Sequence, residues 1–449
     1  MADRSIKQLF AMKMPRLAAL IFLVVPAFAQ YAGPAILSRG DAPAAMNVPQ
    51  IDFIPFLSVV GIYDTGLATV SVNSQGGLAN ASSEGVELNF GISGVHSWKH
   101  TKISLNYGGA AREYSHATYY SGVDQSLMLG ISQQFSRHVV LQLNESAGMF
   151  AQTYGLQGLS PTVSFDPTTT YTPTTDFFDN RTIYANSQVL LTYQRTARLS
   201  FAFGGDWNVT RRRSSALYGV TGEDARGDVQ YRISRRSTIG ANYMFTHFSY
   251  NGVFSASDFH RFSATYGVQL SRTWEFTGFA GVTRVESKFP QVVTLDPVIA
   301  ALLGITQGYV VSYDLTWVPS YSGRLSKTFT RGVAYVSGGH LMTPGNGLFL
   351  TSKSYNATAG YTYTGIRRWS FNLSASYDRA TSIGNILGEY GDVNGGLQTS
   401  RQISHLVHLV AGVTARKYQS GSFTAYNRVI WDARVGISFS PRDIPLRIW

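Results

Sequence analysis

The sequence predicts an all-β protein whose strands form one closed antiparallel barrel across a membrane. Three observations predict this fold: strand-length segments in which apolar and small polar residues alternate, connections that are alternately short and long, and a low content of charge. Charged residues make up 14% of the 449 residues, aromatic residues make up 13%, and glycine occurs 44 times. A lumen wall built from Ser, Thr, Asn, Gln and Gly explains so low a charge. No stretch after the N-terminus is apolar for the roughly 18 residues that a membrane-spanning helix needs.

The clearest strand pair is predicted from Ser354 to Asp378, around a basic turn at 365–368. Apolar side chains occupy every second position of both arms, and small polar side chains occupy the positions between them. Because strand side chains alternate between two faces, each arm has one apolar face and one polar face. Aromatic residues lie near the ends of the apolar face, as in strands that meet lipid between two interfacial girdles. One such hairpin would equally suit a soluble sandwich, so the prediction depends on its recurrence.

The alternation recurs from Ile51 to Phe439 and predicts about 18 strands. Two glycine-rich segments, 218–233 and 389–404, are the weakest strands, so 16 strands is the alternative. Eight short, mostly basic connections take turns with nine longer ones, which places all the short ones on one edge of a closed sheet. Outer-membrane barrels have short periplasmic turns and long external loops in this arrangement. The short turns are predicted at 99–100, 136–138, 195–198, 234–236, 271–272, 326–327, 367–368 and 401–402.

The N-terminus predicts export. Residues 1–29 have a basic beginning, a short apolar core that ends at Pro26, and a small-x-small cleavage site that ends at Ala29. The apolar core is too short for a membrane anchor. The chain has no cysteine, so neither a lipoprotein attachment site nor a disulfide framework is expected. The predicted organisation is a signal peptide at 1–29, a periplasmic lead-in at 30–50, and a barrel with a short C-terminal extension at 51–449.

Together, the signal peptide, alternating strands, short turns and aromatic girdles resemble Gram-negative outer-membrane β-barrels of the porin type. The resemblance implies insertion in the outer membrane by the outer-membrane assembly machinery. It departs from the family at the C-terminus, because members usually end on an aromatic residue of the last strand. Here the alternation stops near Phe439, and two prolines precede the terminal Trp449. Either aromatic residue is a candidate for the assembly signal.

The resemblance also implies that the third external loop, at about 154–180, sets a constriction. In general porins this loop folds inward and its acids face bases on the wall. The alternatives are a loop that stays in solvent and wall charges that form structural cross-strand pairs. The predicted constriction consists of the loop acids Asp166, Asp176 and Asp179 and the wall bases Arg261, Arg428 and Arg434.

The sixth loop, 289–309, is unusual among the predicted loops because it contains the signals of a short helix. Asp296 as N-cap, Pro297 at the first helical position and Gly304 after the end predict a short helix. Its apolar side chains are expected to cap the lumen, contact lipid or meet a partner.

The predicted function is a passive outer-membrane channel for small hydrophilic solutes. One alternative is a barrel for exopolysaccharide export, and another is a structural or adhesive barrel with a filled lumen. The expected partners are outer-membrane lipid and small solutes or saccharides; the oligomeric state is left open. Nucleic acid is not expected, because the formal charge of +11 is scattered through turns. No catalytic, cofactor or metal motif is recognised in the sequence.

Overall fold

The computed structural model describes residues 51–72, 78–115, 121–150, 182–212, 217–296, 300, 302, 304–345, 350–383, 389–420 and 429–439. The predicted signal peptide, the lead-in and residues 440–449 lie outside this part of the chain.

Eighteen antiparallel strands form one closed sheet, in which each strand pairs with its neighbours in the sequence. Strand β1 closes the barrel by pairing with both β18 and β2, so that Gly61 lies opposite Val435 on one side and Val86 on the other. The predicted barrel is confirmed with 18 strands, and both glycine-rich segments form strands. The strands are β1 (Ile51–Val72), β2 (Leu78–Ser97), β3 (Thr101–Tyr114), β4 (Gly122–Gln134), β5 (Val139–Phe150), β6 (Thr182–Gln194), β7 (Leu199–Arg212), β8 (Gly219–Arg232), β9 (Ser237–Asn251), β10 (Ala256–Gln269), β11 (Trp274–Thr294), β12 (Gln307–Phe329), β13 (Gly332–Thr343), β14 (Ser352–Tyr363), β15 (Trp369–Ser382), β16 (Glu389–Gln402), β17 (Val407–Ser420) and β18 (Val429–Phe439).

Two of the eight predicted short turns are displaced. Residues 326–327 lie inside β12, and the chain turns at 330–331 instead. Residues 401–402 end β16, and the turn follows at 403–406. The basic side chains at these places lie over aromatic rings at the strand ends. The Lys327 ammonium is 4.8 Å from the centre of the Trp274 ring, and the Arg401 guanidinium is 5.3 Å from that of Trp369.

The predicted rule that every second connection is long fails between β9 and β10. That connection is only the four residues 252–255. Gly252 has a φ of 88°, a conformation that L side chains rarely adopt, and the Tyr250 N–H donates to the Ser255 carbonyl at 3.2 Å. A glycine-dependent reversal therefore replaces a long loop.

The sixth loop is shorter than predicted, because residues 289–294 belong to β11 and residues 307–309 to β12, but it contains the predicted helical turn. Residues 300 and 302 are helical, the Ala300 N–H donates to the Asp296 carbonyl at 2.8 Å, and Gly304 has a φ of 68°. The prediction is confirmed where the loop is described. No helix in the described ranges is long and apolar enough to cross a membrane.

The outer face of the sheet is apolar and exposed around the whole barrel. In water such a continuous belt would be unfavourable, whereas lipid is its natural surroundings. The outer face is therefore the surface of a membrane-spanning barrel. Its exposed side chains include Val59, Tyr63, Val86, Leu127, Val189, Phe203, Val229, Tyr243, Phe262, Val336, Leu373, Leu397 and Val435.

Two neighbouring positions on β15 test which face of the sheet meets lipid and which meets the lumen. Leu373 is 54% exposed on the outer face, whereas Ser374 lies on the inner face. We expect Leu373→Arg to destabilise the barrel by about 2–4 kcal/mol, because lipid does not solvate the guanidinium, and Ser374→Arg to cost much less. The heat-resistant folded fraction on gels measures the difference. Equal losses in the two variants would contradict the assignment of faces.

Candidate pore lining and constriction

Five charged side chains form a continuous chain on the inner face where the barrel closes. Glu87 on β2 lies directly opposite Arg112 on β3, so both side chains point to the same face. The Arg112 guanidinium donates to Glu87 and, at 2.6 Å, to Asp124 on β4. From β18, Arg434 donates to Glu87 at 3.1 Å and to Asp432 at 2.7 Å. We call this set the closure network.

Most of the closure network is buried, and the Arg434 side chain is 24% exposed. Glu87, Arg112 and Asp124 are at most 4% exposed. Arg434 reaches over β1, whose inward side chains Val60 and Ile62 are also buried. Charge-assisted hydrogen bonds of this kind are strong, and removing one member leaves a buried charge without its partner. The network therefore ties β18, β2, β3 and β4 together across the closing strand.

A second ion pair continues the charged wall. Arg416 on β17 donates to Asp392 on β16 at 2.9 Å, and both side chains are less than a tenth exposed. The inner wall from β16 to β4 is thus lined by charges that are already paired with one another.

The inner wall from β8 to β13 has the opposite character, because it carries an apolar cluster. A bare apolar patch would be unfavourable in a wet lumen, so this patch needs a cover. The cluster consists of Val220, Phe248, Tyr250, Phe259, Val285, Val318 and Met342, each at most 6% exposed.

The cover is the tip of the β13–β14 hairpin. Leu350 packs against the apolar cluster. The Thr351 hydroxyl hydrogen-bonds the Tyr250 hydroxyl at 3.0 Å and also contacts the Ser257 hydroxyl. Thr343 and Ser352 are fully buried. The hairpin tip therefore lies inside the barrel against β9 and β10, and it narrows the lumen from that side.

The hairpin bends inward because the sheet divides between β12 and β13. Pairing of the two strands stops at Tyr321 and His340. At this point the His340 imidazole stacks on the Tyr355 ring, with 4.1 Å between the ring centres. Pro319 lacks the N–H that would continue the ladder to a neighbouring strand. Beyond this point β13 follows β14 into the lumen, while β12 continues away from it.

Two of the six predicted constriction residues, Arg434 and Arg261, belong to the described part of the chain. Arg434 faces the interior, where it binds Glu87 and Asp432. Arg261 also faces the interior, with its guanidinium 5.0 Å from the centre of the Phe279 ring. The remaining predicted residues, Asp166, Asp176, Asp179 and Arg428, lie outside the described residues.

The sequence reasoning missed Arg112, Asp124 and the inward hairpin. The first two occupy even-numbered positions on β3 and β4, and the outward residues of these strands, such as Leu127, are odd-numbered. The alternation of apolar and polar residues therefore predicts that both charged side chains face the interior. It contained no signal for the hairpin, since a strand pattern does not specify where the sheet divides. Among the described residues, no group of three His, Asp or Glu side chains is arranged to hold a metal ion.

No protein-family model matches this chain, and no curated protein sequence does. Solved structures with a similar architecture include OccK5 (OpdH) of Pseudomonas aeruginosa, with 14% identity, a TM-score of 0.40 and coverage of 87% of this chain and 98% of that one. A BenF-like porin of Pseudomonas fluorescens Pf-5 has 11% identity and a TM-score of 0.42, covering 86% and 97%. The ferric-catecholate import receptor Fiu of E. coli K12 has 8% identity and a TM-score of 0.42, covering 87% and 81%. At these values the similarities do not decide the family or the activity.

The closure network predicts that replacing Arg112 lowers the stability of the barrel far more than replacing Arg379. Arg112→Met removes the buried guanidinium that binds both Asp124 and Glu87, and leaves Glu87 with Arg434, so we expect a loss of about 3–5 kcal/mol in the free energy of unfolding. Arg379→Met removes a solvent-exposed pair with Glu389 and should change stability little. Urea unfolding in lipid vesicles measures both variants. Losses of similar size would show that the network does not stabilise the closure.

Proposed function

We propose that the chain is an outer-membrane channel through which small hydrophilic solutes diffuse passively, without catalysis. The observation that carries this proposal is the combination of an exposed apolar exterior and a polar interior in one closed sheet of 18 strands. Barrels of 16–18 strands are wide enough for an aqueous channel.

The two sides of the lumen would select solutes together. On one side a solute meets the closure network and the Arg416–Asp392 pair. On the other it meets the inward β13–β14 hairpin. Charges of both signs beside a low-dielectric wall create a local field, which favours small polar solutes.

The third loop remains part of the proposal. Its acids Asp166, Asp176 and Asp179 would face bases on the wall. Because Arg434 already donates to Glu87 and Asp432, the loop acids would depend more on Arg261 and Arg428.

A structural barrel with a filled lumen is the second candidate. The observation that favours it is the buried hairpin tip, which occupies part of the interior. Conductance separates the two candidates, since a filled lumen passes no ions.

The inward hairpin gives the first test. Leu350→Asp with Thr351→Val places a charge against the apolar cluster and removes the hydroxyl that binds Tyr250, so the tip should leave the wall. We expect a higher single-channel conductance in planar bilayers. The matched control Leu302→Asp alters the exposed sixth loop and should leave conductance unchanged.

A silent wild-type barrel would refute the channel and support the filled lumen. A conducting wild type with an unchanged double variant would instead show that the hairpin does not limit the pore.

Ion selectivity tests the third loop. Replacing Asp166, Asp176 and Asp179 by Asn should shift the reversal potential toward anions, because wall bases would lose their compensating charge. The shift should be largest at low salt, where the Debye length is roughly 30 Å at 0.01 M. Glu286→Gln is the control, since this side chain lies on the outer face, where it pairs with Arg284. A reversal potential that stays constant in the triple variant would remove the loop from the constriction.

A further inference from the structure

We propose that the projecting part of the β11–β12 hairpin is a docking site, which binds an extended polypeptide segment of another protein as an added strand on β12. This interaction is separate from solute passage through the lumen.

The hairpin extends beyond both of its neighbours. Strand β10 begins opposite Lys288, so residues 289–294 of β11 have no described strand on that side. At the usual rise per residue of a strand, these six residues extend about 20 Å beyond the start of β10. On the other side β13 leaves β12 at Tyr321, so residues 307–320 pair with β11 alone within the described part of the chain. The projecting hairpin therefore has one short open edge and one long one.

The direction of the backbone groups on the long edge follows from hydrogen bonds at the two ends of β12. The Thr328 N–H donates to the Thr273 carbonyl and the Thr306 carbonyl accepts from the Leu295 N–H, so even-numbered residues point their backbone groups toward β11. Residues two apart in a strand point their backbone groups the same way. The N–H and C=O groups of Val311, Tyr313, Leu315 and Trp317 therefore point to the open side, and those of the residues between them bond to β11.

This edge lacks the devices that normally protect strand edges. Natural edge strands carry lysines, prolines, bulges or inward charges that prevent pairing with another chain. Between 307 and 318 the only charged residue is Asp314, and the one proline of the edge, Pro319, lies at its base, where β13 leaves β12. Tyr309 is 80% exposed, Tyr313 is 68% exposed and Trp317 is 58% exposed. An edge this long and apolar, without protection, fits a surface that is covered by a partner.

Residues 307–317 of the hairpin lie level with the end of the lipid belt or beyond it. Open backbone groups are too costly in hydrocarbon. In addition, Arg284, Glu286 and Lys288 on the outer face of β11 mark where the apolar belt ends at its base. The edge is thus accessible from the aqueous side.

A polypeptide strand fits this edge better than a lipid or a saccharide. Only a polypeptide repeats donors and acceptors at the spacing of the strand, and its alternate side chains would lie beside Tyr313 and its neighbours. Asp314 favours a basic residue opposite it. Antiparallel pairing with a second copy through this edge would point the two barrels in opposite directions, so copies in one membrane could pair only in parallel. The cysteine variant described below tests that occupant.

The test uses the full-length protein in detergent and a fluorescent nonapeptide of alternating valine and threonine with a central lysine. Its twin carries an N-methyl group on every amide and cannot donate backbone hydrogen bonds. We expect the parent peptide to bind in an anisotropy titration and the twin to bind at least about tenfold more weakly. Equal binding of the two peptides, or no binding of the parent, would overturn the proposal.

Variants at one position separate the backbone from the side chain. Tyr313→Pro removes an N–H that points to the open edge and spares the bonds to β11, so binding should weaken by about tenfold. Tyr313→Ala keeps that N–H and should weaken binding less. Heat modifiability on gels confirms that both variants fold. If Tyr313→Ala weakens binding as much as Tyr313→Pro, contact with the side chain explains the binding and strand addition is wrong.

The chain has no native cysteine, so oxidation of the Tyr313→Cys variant tests whether two copies meet at this edge by forming a disulfide. Under the proposal it stays monomeric on oxidation. A disulfide-linked dimer would assign the edge to another copy of this chain and overturn the choice of partner.

Discussion

The structure depends on one constraint: backbone N–H and C=O groups in lipid must bond to other backbone groups. A single sheet meets this constraint only by closing, and β1 closes it by pairing with β2 along its length and with β18 from Leu57 to Asp64. The open edges at 289–294 and 307–312 lie past Lys288, and residues 313–317 of the longer edge lie level with the charged residues that end the apolar belt. The constraint therefore also determines where the sheet is free to be irregular, and this is where a partner can bind.

Inside the barrel, two kinds of surface are buried in two ways. Charges on β18 to β4 pair across strands, as Glu87 does with Arg112 and Arg434. Apolar residues on β8 to β13 are covered by the hairpin tip, which Thr351 fastens to Tyr250. One side of the lumen is lined by charges that pair with each other, whereas the other is covered by a single folded-in hairpin. The proposed obstruction thus lies opposite the closure network, and the proposed selectivity uses both walls, since Arg261 lies on β10.

Errors in the sequence predictions have local physical causes. The prediction of turns at 326–327 and 401–402 depends on the basic residues there, because basic residues are common in the other short turns. In the structure Lys327 and Arg401 are the last residues of strands or near them, and each lies over an aromatic ring. Long basic side chains near the end of a strand can place their charge at the interface while their backbone stays in the sheet. The turn is then displaced by a few residues.

The strands, their two faces and the helical turn near Ala300 can be read from the order of residues alone. These features depend on neighbours two to four residues apart, which a pattern records directly. The fold in three dimensions brings Glu87 to Arg434, 347 residues away, brings Thr351 to Tyr250, and divides the sheet at Pro319. Alternation assigns a side chain to a face, but it does not say which strand, charge or hairpin that face will meet once the sheet has closed.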